Sequence, residues 1–328
     1  MAEIVLAIGT SHSPILTIEG REWHKRAAAD FENPTLTLSD GRTVDYQGLV
    51  AICGEQFGDV AVTPVFEEIA ARCQARLDRL ARDVAEAEPD VVIIIGDDQN
   101  ELYSPGNMPA IGIYWGQDVV MHSFDDEIPD WMKVMAQGYA MDETHVFPGH
   151  PAFARELIEG LMDRNIDLAI CDRVVDPDVA GFGHAFGFPV ERLFGGRSIP
   201  IVPIMLNTYY PPNVMSAARC YDVGLALREV IAASPSQLRV AIIASGGLSH
   251  FVVDEELDRR VMEGLAGDAS ILRNIPREAL REGSSEILNW VMTAAAARDL
   301  QLRWSTYEPI RRTPAGTGIG VAFACWSK

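Results

Sequence analysis

Three histidines and one polar cluster carry the chemistry that this 328-residue sequence can do. His12 lies in Thr10-Ser11-His12-Ser13-Pro14, just past the apolar run 4–9; His184 sits in Gly181-Phe182-Gly183-His184-Ala185-Phe186-Gly187; His250 closes Ser245-Gly246-Gly247-Leu248-Ser249-His250 after the run 240–244. Each stands at or beyond the end of a segment of strand length. Imidazole titrates near neutrality and ligates metals as the neutral ring, so three converging imidazoles suit proton transfer or metal binding. Taken one at a time, a histidine is more often a structural hydrogen-bonder. The fourth piece is VVIIIGDDQNE, residues 91–101, in which five β-branched residues and a glycine deliver Asp97, Asp98, Gln99 and Asn100. Such a run reads as a buried parallel strand, and ligands of open α/β sheets bind at the carboxyl ends of the strands. A helix cap or a turn is the plainer reading of the same cluster. His24, His122, His145 and His150 receive no role, although His150 before Pro151 suits a helix cap.

Strands and helices in alternation must position these groups. Strand patterns fall at 4–9, 91–95, 108–114, 166–171 (with the look of a buried strand), 199–206, 240–244 and about 318–324. Apolar residues recur at three and four positions through Phe66, Ile69, Ala70, Cys73, Leu77, Leu80 and Val84, which predicts a helix from Pro64 to just before Pro89. Further helices are expected at about 152–164 and 214–233 and over much of 254–298. The pattern predicts one α/β domain over 1–328, with a mostly parallel twisted sheet covered by helices on both faces. Residues 20–60 interrupt it. Asp40-Gly41 between 36–38 and 43–46 predicts a hairpin, and the whole excursion is either a pocket cover or surface decoration. The segment with Asp125-Asp126-Glu127, Trp131 and Met132 reads as an acidic, aromatic connection.

Composition narrows the partners. A formal net charge of -20 repels polyanions, which argues against nucleic acid and anionic membrane surfaces. A carboxylate on a substrate would therefore need local arginines, and Arg311-Arg312 are either such a clamp or a solvated pair. Five scattered cysteines without a C-x-x-C pair predict reduced thiols in the cytoplasm. No signal-peptide pattern opens the sequence and no apolar run reaches about 18 residues. Gly316-Thr317-Gly318-Ile319-Gly320 precedes a strand instead of opening a helix, which sets aside a nucleotide-binding loop.

These pieces resemble the class III extradiol ring-cleaving dioxygenases, the superfamily of the protocatechuate 4,5-dioxygenase beta subunit. The matching residues are Thr10 to Pro14, the strand with Asp98, Gly149-His150-Pro151, His184, Pro203 with Asn207, Tyr210-Pro211-Pro212, Arg219-Cys220, Gly246 to His250 and Leu280 to Glu286. The resemblance implies the fold expected above and an Fe(II) held by two histidines and a glutamate. His12 matches the first ligand. The second histidine of the family follows an Asn-Asp pair, which puts Gln99 at its position, and the glutamate of the family falls at Asn289. His250 matches the acid/base histidine, and His184 one that contacts substrate. If iron binds, its ligands are thus His12, Gln99 and Asn289, two of them carboxamides and poor partners for Fe(II). Asp97, Asp98 or Glu101 beside the first gap and Glu286 near the second are possible compensators.

The expectation is therefore an enzyme of aromatic catabolism with no metal cofactor: a C–C bond lyase on a phenolic compound, for example a lignin-derived one. His250, His184 and His12 would be catalytic, and Gln99, Asn289, Tyr210 and Arg312 would bind the substrate. The alternative is an Fe(II)-dependent extradiol dioxygenase of a catecholic acid such as a gallate or protocatechuate derivative. A non-catalytic binding protein is a further reading. The resemblance also implies a homodimer or larger homo-oligomer.

Overall fold

The computed structural model describes residues 1–124 and 127–328; the expected acidic connection at Asp125 and Asp126 lies outside them. The first third contains β1 (Glu3–Thr10), α1 (Trp23–Phe31), β2 (Leu36–Thr37), β3 (Thr43–Val44), α2 (Tyr46–Cys53) and α3 (Thr63–Ala87). Next come β4 (Val91–Asp97), β5 (Ile111–Tyr114), β6 (Asp118–Val120), α4 (Asp130–Gly138), β7 (Val146–Pro148), α5 (Pro151–Met162), β8 (Ala169–Cys171), α6 (His184–Leu193) and β9 (Ile201–Leu206). The last third holds α7 (Ala217–Ala233), β10 (Arg239–Ser245), β11 (His250–Val252), α8 (Glu255–Leu265), α9 (Ala269–Arg273), α10 (Ile287–Ala296), β12 (Gln301–Arg311) and β13 (Thr317–Ser327).

The main sheet has nine strands in the order β11-β13-β1-β10-β4-β9-β5-β8, with β12 on β13. Its centre, β1-β10-β4-β9, is wholly parallel, and antiparallel pairing enters where β5 meets β9 and where β13 meets β1. Alternate residues of β4 explain its unbroken apolar run. Val91, Ile93 and Ile95 enter one core with α5, α7 and α10, whereas Val92 and Ile94 enter another with α3 and α6. A strand buried on both faces cannot alternate polar and apolar residues. On α3 the predicted stripe is buried at Phe66, Ile69, Cys73, Leu77, Leu80 and Val84, each contributing roughly 1.5–3 kcal/mol of burial if full-sized and apolar. His150 caps α5, its Nδ1 accepting the Phe153 N–H at 3.2 Å.

Several expectations change. The strand expected to be buried at 166–171 is a three-residue edge, β8, with Ile170 55% exposed, because among the described residues it is the last strand of the sheet. The segment 181–187 that carries His184 enters helix α6 at His184 itself, so this histidine is presented by a helix start. The excursion 20–60 contains two helices besides its hairpin. The segment after the last helix forms two eleven-residue strands where one short strand was expected. Among the described residues no helix is long and apolar enough to cross a membrane.

Candidate metal and proton-transfer site

Strand register assembles the site. Gly9 of β1 lies beside Ala244 of β10, which lies beside Ile95 of β4, so the three parallel strands end together at Thr10, Ser245 and Asp97. One edge of β13 carries both β1, at Thr10 opposite Phe323, and β11, at His250 opposite Ile319. His12 and His250 are thereby hung from the same strand. The start of α10 brings up Glu286 and Asn289, and the start of α6 brings up His184.

His12, Asp97 and Glu286 form the centre, each offering one donor atom within 4.8 Å of the others, and all three are buried. His12 Nδ1 meets the Ser245 hydroxyl at 2.9 Å. Its Nε2 has no hydrogen-bond partner among the described residues, although Glu286 Oε2 stands 3.4 Å away. Burial and the neighbouring His184 hold His12 down at about 3, so the ring is neutral. A neutral ring that donates Nδ1–H to Ser245 presents a bare lone pair toward a carboxylate. Burial and the Glu286 carboxylate push Asp97 up. Two carboxylates within 4.8 Å repel by at least about 3 kcal/mol at an effective dielectric of about 20. A divalent cation relieves that repulsion and accepts the orphaned nitrogen, so one imidazole and two carboxylates fit such an ion.

The two carboxamides sit beside this centre with their donor ends toward it. Gln99 Nε2 donates to Asp97 Oδ2 at 2.7 Å and to Glu286 Oε1 at 3.4 Å. Asn289 Nδ2 donates to Asp97 Oδ1 at 3.2 Å and to the Ser245 carbonyl at 2.8 Å. Glu286 also accepts the Gly247 N–H at 2.6 Å. Gly246, at φ 157°, is in a conformation that a side chain resists, and an added Cβ would lie 2.9 Å from the Glu286 Cβ. The donor cluster thus departs from the expected set His12, Gln99 and Asn289. Asp97 and Glu286, two of the compensators visible in the sequence, occupy it.

His184 and His250 flank the centre in opposite charge states. His184 Nδ1 meets Glu101 Oε1 at 2.9 Å. Burial works against its charge, but the bond to Glu101 and that carboxylate's field outweigh it and lift His184 to about 9. His250 is held below its ordinary value by burial, which the Glu286 field only partly offsets. Its Nδ1 meets the Leu248 carbonyl at 2.8 Å, and its Nε2 stands 3.7 Å from Glu286 Oε2. The His12 and His184 rings are edge to face at 4.6 Å.

A cavity of about 480 Å³ opens over this group, lined by His12, Gln99, Glu101, His184, His250 and Glu286 among others. That is room for a single aromatic ring with substituents. A larger cavity of about 710 Å³ between Leu16–Arg21, α3 and α6 contains no histidine. Arg312 lines the smaller cavity but is neither a free clamp nor a solvated pair. It is buried, with Nε and Nη2 on the two oxygens of Asp30 at 2.8 and 3.2 Å. Arg26 donates to the same carboxylate at 3.1 Å and also lines the cavity. The trio leaves one surplus positive charge at the wall. Tyr209 lines the cavity, whereas Tyr210 donates its hydroxyl to the Gln99 carbonyl at 3.1 Å and shapes the loop. Arg26, Tyr209 and Glu101's pairing with His184 carried no periodic or motif signal in the sequence.

Comparison with known proteins identifies the family. Residues 60–308 match the family described as the catalytic LigB subunit of aromatic ring-opening dioxygenase. A gallate dioxygenase of Pseudomonas putida is 28% identical over 187 residues, 52% of each chain. A 2,3-dihydroxyphenylpropionate/2,3-dihydroxicinnamic acid 1,2-dioxygenase of Comamonas testosteroni is 32% identical over 149 residues, 43% of each chain. The chain thus spans about half or less of the length of these relatives. With the family model covering most of its length, the chain belongs to the catalytic LigB subunits of aromatic ring-opening dioxygenases.

Proposed function

We propose that the chain is a divalent-metal-dependent ring-opening dioxygenase of a phenolic aromatic acid, acting as one catalytic unit over 1–328. The observation that carries this reading is the buried group His12, Asp97 and Glu286, of which His12 and Glu286 line a ring-sized cavity. The family supports it, and the two dioxygenase relatives favour oxygen chemistry over the lyase expected from the carboxamides. Fe(II) is the ion the family resemblance implies; held by these three side chains, it would supply Lewis acidity to a phenolic oxygen and a meeting point for dioxygen.

The chain's own residues do the rest. His250, neutral and with Nδ1 on a carbonyl, presents Nε2 as the base that takes a substrate hydroxyl proton. His184, charged beside Glu101, donates a hydrogen bond to developing negative charge on the substrate. Arg26, with Arg312 fixed on Asp30, attracts a substrate carboxylate that the overall charge of -20 would otherwise repel. Five free thiols are in keeping with a reducing, cytoplasmic setting, and a homo-oligomer is the assembly this reading adopts.

A second reading, the metal-independent C–C bond lyase, keeps one observation in its favour: His250 and His184 form a base and an acid without any cation. Protein purified anaerobically, with metal content measured and dihydroxybenzoates supplied with and without oxygen, separates them. One iron per chain with oxygen uptake matching substrate loss supports ring opening. Turnover indifferent to chelator and anoxia sinks it in favour of the lyase, and binding without turnover leaves the binding protein.

A further inference from the structure

We infer that Asp97 stands in for an imidazole as the third donor of the cation site, and that Gln99 and Asn289 are its positioning residues, not donors. The inference rests on the cation reading proposed above but not on ring opening.

Asp97 is fully buried at the end of a strand buried on both faces, and its hydrogen bonds fix how its carboxylate is oriented. Each of its oxygens is held by a different amide, Oδ1 by Asn289 and Oδ2 by Gln99. A carboxylate oxygen has two acceptor positions, so one on each remains for a cation. The amides meet the site with their nitrogens, which carry hydrogens and no available lone pair. Turning Asn289 over would set its oxygen against the Ser245 carbonyl that now accepts from it at 2.8 Å. Gln99 is pinned at its backbone, where Glu101 Oε2 accepts its N–H at 2.5 Å. The charge is also right: two carboxylates and an imidazole, which ligates as the neutral ring, balance one divalent ion, where a site of one imidazole and two carboxamides would carry no anion. Hydrogen-bonded partners of this kind orient a ligand and commonly alter metal affinity 10- to 100-fold.

The test is titration of metal-stripped protein with Co²⁺, read by its visible absorption, and with Mn²⁺, read by the resonance of the free ion. Wild type should bind one equivalent of each. Asp97→Asn should weaken binding on the order of 100-fold or more, and Gln99→Ala and Asn289→Ala about 10-fold each, with the stoichiometry and the shape of the cobalt spectrum kept. The double variant D97N/Q99H, which supplies an imidazole at 99, should recover most of the affinity with a spectrum shifted toward nitrogen ligation; it also serves if D97N alone fails to fold. The inference is overturned if D97N binds as tightly as wild type, if Q99A or N289A abolishes binding, if the double variant recovers nothing, or if wild type binds neither ion. Asp97-dependent metal binding without oxygen uptake on any dihydroxybenzoate would sink the ring-opening reading and leave this one standing.

Discussion

Asp258→Asn is predicted to flatten a specific part of the stability curve. Asp258 is completely buried in α8, where Oδ1 accepts the Ser249 N–H at 2.8 Å and Oδ2 accepts the Ser249 and Tyr307 hydroxyls at 2.7 Å. Burial pushes its carboxyl from 3.8 to about 6 against the pull of those three hydrogen bonds. That difference is worth about 3 kcal/mol. Because the folded state binds the proton more tightly than the unfolded chain, this contribution is full below the unfolded value and is lost as pH rises through the folded one. Of the total, about 2 kcal/mol should disappear between pH 4 and pH 7. Urea unfolding followed by circular dichroism at half-unit steps gives the measurement. The readout is wild type minus variant, in which the other buried carboxylates cancel, and it should fall by that amount as pH rises. A difference that stays flat, or climbs with pH, refutes the reasoning. The site should respond as well, since Ser249 directly precedes His250 and its hydroxyl also accepts the Asp254 N–H at 2.9 Å.

Three further substitutions test separate parts of the cavity. Gly183→Ala would place a Cβ 2.1 Å from Glu101 Oε1, so Glu101 must leave His184, and turnover should drop at least about 10-fold with an unchanged circular dichroism spectrum. Arg26→Met should weaken calorimetric binding of 3,4-dihydroxybenzoate about 10-fold while leaving catechol, which lacks the carboxylate, unaffected. Arg312→Met leaves the buried Asp30 with one guanidinium and the Thr317 hydroxyl, and should cost about 1.5–3 kcal/mol in chemical denaturation.

The sheet and the three histidines were legible because both rest on strong local signals. A run such as residues 91–95 has few alternatives to a strand covered on both faces, and the residues after it must then lie at the ligand-binding edge. What was illegible depended on partners distant in sequence. The final hairpin escaped because β12 is half exposed and alternates large apolar residues such as Trp304 with polar ones, a weaker pattern than a buried run. Arg312 read as a surface group because Asp30, which takes its charge, is 282 positions away. Which side chain of α10 faces His12 was hidden for a geometric reason: Asn289 and Glu286 both sit near the start of that helix, and only the tertiary arrangement brings Glu286 to within 3.4 Å of His12.

The hanging of β1 and β11 on one edge of β13 bears on how the molecule comes to be made. His12 is synthesised more than three hundred residues before the strand segment that aligns it with His250. The alignment of His12 with His250 therefore cannot form as the chain emerges from the ribosome in order; it waits on a long-range closure that costs loop entropy before any contact rewards it. Until then the edges of β1 and β11 that β13 will cover stay unpaired, a natural surface for a chaperone or for self-association.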